Sequence, residues 1–196
     1  MPNPPLSELL KLTTKSNHQQ LEKLLVLRLR LITTKEEYIN LLQLFYSFFG
    51  GLEERINLYL LPHQPGYQPQ RRTTLSIAED IITLGGSVNE KAKGGDLPEI
   101  ENYLQALGAL YVIEGSTLGG KIIVKMLQRQ LNIENNQGLS FFSGYGEETE
   151  SRWASFKELL NNQSMRTTDT GMVVFAANDT FAKFKLWIDK QPVEAF

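Results

Sequence analysis

Residues 107–127, LGALYVIEGSTLGGKIIVKML, decide the fold: an apolar segment with helical spacing in which glycine recurs at 108, 115, 119 and 120. Inside a helix each glycine costs about 1 kcal/mol relative to alanine, because more backbone freedom is lost on folding. Three or four together cost roughly 3 to 4 kcal/mol, so bare backbone must be useful here. At about 3.6 residues per turn, Gly108, Val112, Gly115 and Gly119 fall along one face, a strip on which something flat can lie. Close packing of one helix on another uses the same small residues, and the spacing leaves both readings open.

Outward from this segment, helical periodicity dominates and strand signals are scarce. It predicts helices over 5–29, 35–60, 73–84, 99–131, 147–162 and 168–190. Thr33 or Thr34, Thr73 or Thr74, and Thr167 or Thr168 stand where caps are expected. Breaks fall at LPHQPGYQPQ (61–70), LGGSVNEKAKGGDLP (84–98) and NIENNQGLSFFSGYG (132–146), where glycine, proline and asparagine cluster. The second helix is apolar nearly all round its middle and is expected to be the most buried, its aromatics forming core. Its Gly50–Gly51 pair either bends it or admits a close neighbour. The expectation is an all-α fold in one domain spanning residues 1–196.

Composition narrows the function classes. Hydrophobic residues make up 41% and charged residues 21%, ordinary for a globular protein. A net charge of -2 gives no general field for nucleic acid. The absence of cysteine excludes disulfides, zinc–cysteine sites, iron–sulfur clusters and thiol nucleophiles. The start, MPNPPLSELL, lacks the basic-then-apolar pattern of a signal peptide. No apolar run approaches the ~18 residues that span a bilayer, so no membrane association and a cytoplasmic location are expected. Locally, residues 1–30 carry Lys11, Lys15, Lys23, Arg28 and Arg30 against Glu8 and Glu22, a balance of 5 − 2 = +3 that suits an anionic ligand or partner.

His18 is one of only two histidines, in the helical stretch LKLTTKSNHQQLEKLL (10–25). Its face carries Thr14, Leu21, Glu22 and Leu25, so the imidazole emerges from a partly apolar stripe. The other, His63, lies in a proline-rich loop. Lys11, Thr14, His18, Leu21 and Glu22, then Gly115, Ser116 and Gly119, then FFSGYGEETESRWASF (141–156) occur in that order along the chain. Together they resemble the heme oxygenase family, particularly its bacterial biliverdin-forming members associated with phytochromes.

The resemblance implies a helical fold with a kinked, glycine-rich distal helix, and heme as both cofactor and substrate with dioxygen as co-substrate. His18 would be the axial iron ligand, with Glu22 one turn on as acceptor for the second ring nitrogen. Gly115, Ser116 and Gly119 would form the catalytic distal surface. Lys11, seven residues before His18, matches the family's propionate lysine. Arg152 and Phe156 share a helix face, Lys157 resembles a basic position of that helix, and Tyr111 offers a hydroxyl to a propionate. Thr14 lies beside the ligand. One departure stands out: mammalian-type members place an aspartate after the first glycine to organise distal water, and this chain has Ser116, as the bacterial subgroup does. Glu114 is adjacent but points about 100° away. No flavin or nicotinamide motif is present, so electrons would come from an external donor such as ferredoxin, and biliverdin would pass to a user such as a phytochrome.

Rival readings remain. A non-catalytic heme-binding or heme-sensing protein on the same fold would need the same His18. GSTLGGKI (115–122) fits all but the last position of the phosphate-loop pattern, with LYVI as its strand and MVVFAAND as a second. There Ile122 replaces the hydroxyl that binds magnesium. A di-iron oxidase needs more histidines than His18 and His63, and a thiaminase-like relative needs a cysteine.

Overall fold

The Glu37 N–H donates to the Thr34 hydroxyl at 3.2 Å, and the Thr34 N–H donates back to the Glu37 carboxylate at 2.9 Å. This reciprocal cap starts α2 (Lys35–Leu60). A computed structural model describes residues 4–64, 71–163 and 166–190. In order, α1 (Leu6–Leu31) and α2 are followed by α3 (Leu75–Thr83), α4 (Tyr103–Gly115), a 3-10 turn (Ser116–Gly119), α5 (Gly120–Leu131), α6 (Ser140–Ser143), α7 (Thr149–Asn161) and α8 (Thr167–Asp189). The described residues contain no strand. LYVI lies inside α4 and MVVFAAND inside α8, which removes the phosphate-loop reading.

As its periodicity requires, α2 carries the core. Phe45, Phe48 and Phe49 meet Phe141, Phe142 and Phe184 at ring-centroid separations from 4.7 to 6.2 Å. The Gly50–Gly51 pair admits a neighbour rather than bending the helix: a methyl on Gly51 would run into the Ala92 carbonyl oxygen, whose residue donates its N–H to Ser47 O at 2.8 Å. The helix α8 is a shared support. Asn17 of α1 donates to Asn178 at 2.7 Å, and Gly108 of α4 sits so close to α8 that a methyl there would strike the Val173 carbonyl oxygen.

The expected helix 99–131 starts later and breaks in the middle. Asn102 caps α4 by accepting the Gln105 N–H at 3.0 Å, and the hydrogen-bond ladder tightens to 3-10 over Ser116–Gly119 before α5 resumes. Within a long helix such a stretch marks a hinge. Taken whole, Tyr103–Leu131 is long and apolar enough to cross a bilayer, contrary to the sequence expectation. Yet 56% of its most apolar window is buried inside the protein, as in a core helix.

Two other details differ from expectation. The cap of α8 is Arg166 rather than Thr167 or Thr168, with its N–H donated to the Asp169 carboxylate at 3.0 Å. That bond and the adjacent guanidinium hold the Asp169 pKa below the ordinary carboxylate value. The segment 132–146, expected as loop, contains α6, because buried Asp80 accepts the Ser140 and Phe141 N–H groups at 3.0 and 2.8 Å and satisfies that short helix's start.

Candidate active site

The four central glycines divide into two kinds. Gly108 and Gly120 are packing glycines: an added methyl would meet the Val173 carbonyl in one case and the Phe142 carbonyl in the other. Gly115 and Gly119 are not. A Cβ on Gly119 would have no heavy atom within 4 Å, and one on Gly115 would touch only the Trp153 ring at 3.7 Å. Val112 is buried. The continuous bare strip expected from Gly108 to Gly119 is therefore confined to its C-terminal part, where the 3-10 turn presents open backbone. Neither glycine there has positive φ, so conformational necessity does not explain them; open space does.

On α1, His18 has a side chain 57% exposed. Its Nδ1 lies 3.9 Å from the Glu22 carboxylate, an ion-pair separation longer than a hydrogen bond. Its ring meets Phe181 of α8 edge-on at 5.7 Å. Among the described residues Nε2 has no partner, which leaves a nitrogen available to a ligand. Thr14, buried one turn earlier, donates to Leu10 O at 2.7 Å and lies beside the Tyr111 phenol of α4. That contact links the helix bearing His18 to the helix leading into the glycine turn. Burial raises the Tyr111 pKa above the usual phenol value, so it stays protonated.

The α7 residues are placed unequally. Trp153, which sequence reasoning did not single out, stands at Gly115 and packs against Tyr111 at 5.5 Å and Phe156 at 5.7 Å. Phe156 itself is in the core. Arg152 is paired with Glu148 at 3.0 Å and lies 5.6 Å from the Tyr145 ring centre. Lys157 is half-buried with no carboxylate within 4 Å among the described residues, and Lys11 is exposed with Glu8 at a loose 3.8 Å. Of the expected cationic groups, Lys11 and Lys157 are the ones available to an anionic ligand. His63 stacks on Tyr103 at 4.6 Å, away from these elements.

Behind the turn lies a polar cluster absent from the sequence reading. Arg72 Nη2 donates to Ser116 Oγ at 3.0 Å, and Nη1 donates to Phe141 O at 2.7 Å. The Arg72 N–H donates to Tyr145 Oη at 2.9 Å, and Tyr145 in turn donates to the Glu114 carboxylate at 2.9 Å. Burial lowers the Arg72 pKa to about 10, offset by Glu114 and Tyr145, so the guanidinium remains charged near neutrality. Burial, with Glu114 beside it, pushes Tyr145 up to about 12. Ser116 donates its own hydroxyl proton to Ile113 O at 2.6 Å. With its proton committed and one lone pair on Arg72, it presents only acceptor capacity to anything above the turn. Arg72 falls just before the expected helix 73–84, where sequence supplies a charge but no partner for it; only the tertiary fold brings it to Ser116.

Comparisons with known proteins bear on the family and the fold. A sequence model of the heme oxygenase family matches residues 4–190. A heme oxygenase of Xanthomonas campestris is 26% identical over 152 residues, which make up 76% of this chain and 87% of that protein. The NO- and CO-bound heme oxygenase of Neisseria meningitidis superposes with a TM-score of 0.79 at 22% identity, covering 96% of this chain and 92% of that one. Heme oxygenase-1 of the cyanobacterium Synechocystis, solved with heme, gives a TM-score of 0.73 at 17% identity over 98% and 94%. The structures show the same all-helical fold, and with a family match running the whole described length the conclusion follows: this chain belongs to the heme oxygenase family of heme-degrading enzymes.

Proposed function

We propose that the protein cleaves heme oxidatively to biliverdin, carbon monoxide and ferrous iron, using dioxygen and electrons from an external protein donor. The observation that carries this reading is the contrast between the clamped glycines, 108 and 120, and the open ones, 115 and 119. Packing alone would leave no reason for glycine at 119, where a Cβ would meet no heavy atom within 4 Å. A flat macrocycle lying on that backbone supplies the reason.

The residues present suit this ligand. His18 offers Nε2 to iron, with the Glu22 carboxylate 3.9 Å from the other ring nitrogen. Tyr111, Lys11 and Lys157 are the groups we assign to the propionates, whereas Arg152 would first have to leave Glu148. Bound heme supplies the iron at which dioxygen is reduced and is itself the skeleton that is cut. Open backbone at Gly115 and Gly119 would leave room for a small gas, and Ser116 Oγ, unable to donate, can only accept from a water there. A hemin titration with absorption spectroscopy tests the binding step: a shifted Soret band saturating at one equivalent is expected, and a spectrum equal to free hemin is the contrary result.

The donor's docking surface is proposed on α5 rather than on α1. Arg28 of α1 is buried and donates to Ile188 O at 3.2 Å, which removes it from the surface cluster. On α5, Lys121, Lys125 and Arg129 are exposed at four-residue spacing with no acidic residue in the helix. None has a carboxylate within 4 Å among the described residues, and Ile122 between them is 76% exposed. A cationic rim around an apolar centre at the end of the glycine turn fits an acidic protein such as a ferredoxin. Lys125→Glu with Arg129→Glu should raise the donor KM on the order of tenfold at low salt, an effect that fades as salt screens it. Hemin affinity should not change; an unaltered KM would move the dock elsewhere. A cytoplasmic setting and a biliverdin user such as a phytochrome complete the proposal.

A further inference from the structure

We propose that Arg72 is the positioning residue of the distal turn: clasped by Tyr145 beside Glu114, it fixes Ser116 and thereby the 3-10 segment Ser116–Gly119. The proposal rests on the functional reading above and extends it to residues that the sequence motifs do not contain.

The turn needs such a support. Gly115, Gly119 and Gly120 supply no side chains of their own, and 3-10 hydrogen bonds have poorer geometry than those of an α-helix. Open space on the ligand side means nothing presses the turn into place from there. Arg72 reaches it from behind. Its guanidinium spans Ser116 Oγ at 3.0 Å and Phe141 O at 2.7 Å, and lies 4.3 Å from the centre of the Phe141 ring. One planar group thus ties the turn to α6, the element whose Phe142 carbonyl also touches Gly120.

Arg72 is itself held. Tyr145 Oη accepts its main-chain N–H and donates its own hydrogen bond to Glu114, a carboxylate only 4% exposed on the last turn of α4. A buried glutamate needs a nearby cation, and the half-buried Arg72 supplies it across Tyr145. Ser116 is thereby oriented by a charge one hydrogen bond behind it. Arg72 does not touch the ligand; it acts through Ser116.

The test begins on the protein without hemin. Amide hydrogen exchange, well below the unfolding temperature, should accelerate at least tenfold across 115–120 in Arg72→Met while α2 and α8 keep their protection. Ser116→Ala should loosen the same amides less, and Glu114→Gln should loosen them through Arg72. With hemin bound, Arg72→Met should shift the absorption spectrum and change the ratio of biliverdin isomers. Arg72→Met with Ser116→Ala together should change that ratio no more than Arg72→Met alone. Arg72→Lys, which keeps the charge but not the fork, should restore part of the effect. Exchange that rises uniformly along the chain, or an unchanged spectrum and isomer ratio, overturns the proposal and leaves Arg72 a fold-stabilising residue. Should Arg72→Met not fold, the local exchange and isomer ratio of Arg72→Lys, Ser116→Ala and Glu114→Gln decide by the same criteria. A wild-type chain that binds no hemin would contradict the heme reading while leaving the exchange result, measured without hemin, to stand or fall separately.

Discussion

Replacing His18 with alanine should abolish turnover while leaving the fold intact. The imidazole is mostly exposed, and its contacts are one ring edge on Phe181 and a loose approach to Glu22, so little stability is lost with it. Its loss as an iron ligand is different in scale. Losing an outer-shell partner of a ligand already costs roughly 10- to 100-fold in affinity or activity, so removing the ligand should cost more than about 100-fold. The His18→Ala hemin complex should show an altered spectrum, and added imidazole should restore part of it. His63→Ala should be silent, since that ring stacks on Tyr103 and accepts no role at the site. A variant lacking His18 with the wild-type spectrum and rate would remove it from the site.

Gly119→Leu should separate stability from function. Space around a Cβ at 119 is open, and its backbone is ordinary right-handed helix (φ -80). Leucine is therefore accommodated, and by helix propensity the folded state should change by less than about 1 kcal/mol. Hemin affinity or oxygen access should nevertheless fall tenfold or more, because the side chain occupies the surface reserved for the ligand. Gly108→Ala is the opposite control: its methyl meets the Val173 carbonyl at the α4–α8 crossing, so it should lower the unfolding temperature through overpacking worth about 1 to 3 kcal/mol. Calorimetry and hemin titration on both variants read the contrast. A Gly119→Leu protein that binds and turns over hemin normally would assign the open glycines no ligand role.

The helices were legible because each buries a continuous apolar stripe, and stripes are visible in one dimension. Their boundaries were less so: α4 starts at Tyr103 rather than near 99 because the Asn102 side chain closes its first turn. Helix α6 was hidden because its start depends on Asp80, sixty residues away in α3. At the site, glycine spacing pointed to the right segment but could not tell a glycine pressed against a carbonyl from one facing open space. That distinction between Gly108 and Gly119 exists only after α8 and α6 are packed. Ser116 was expected on the catalytic distal surface, and its proton turns out to be committed to Ile113 O. Arg72, Glu114 and Tyr145 were invisible as a unit, since three separate segments of chain contribute one residue each.

The most direct test is a single-turnover reaction on the wild-type protein. One equivalent of hemin is bound, ascorbate or reduced ferredoxin is added in air with catalase present, and the pigment is extracted and chromatographed. The account predicts loss of the Soret band, release of carbon monoxide and biliverdin as the product. Hemin that binds through His18 but remains intact under these conditions would contradict it, and would make the chain a heme-binding protein built on this fold.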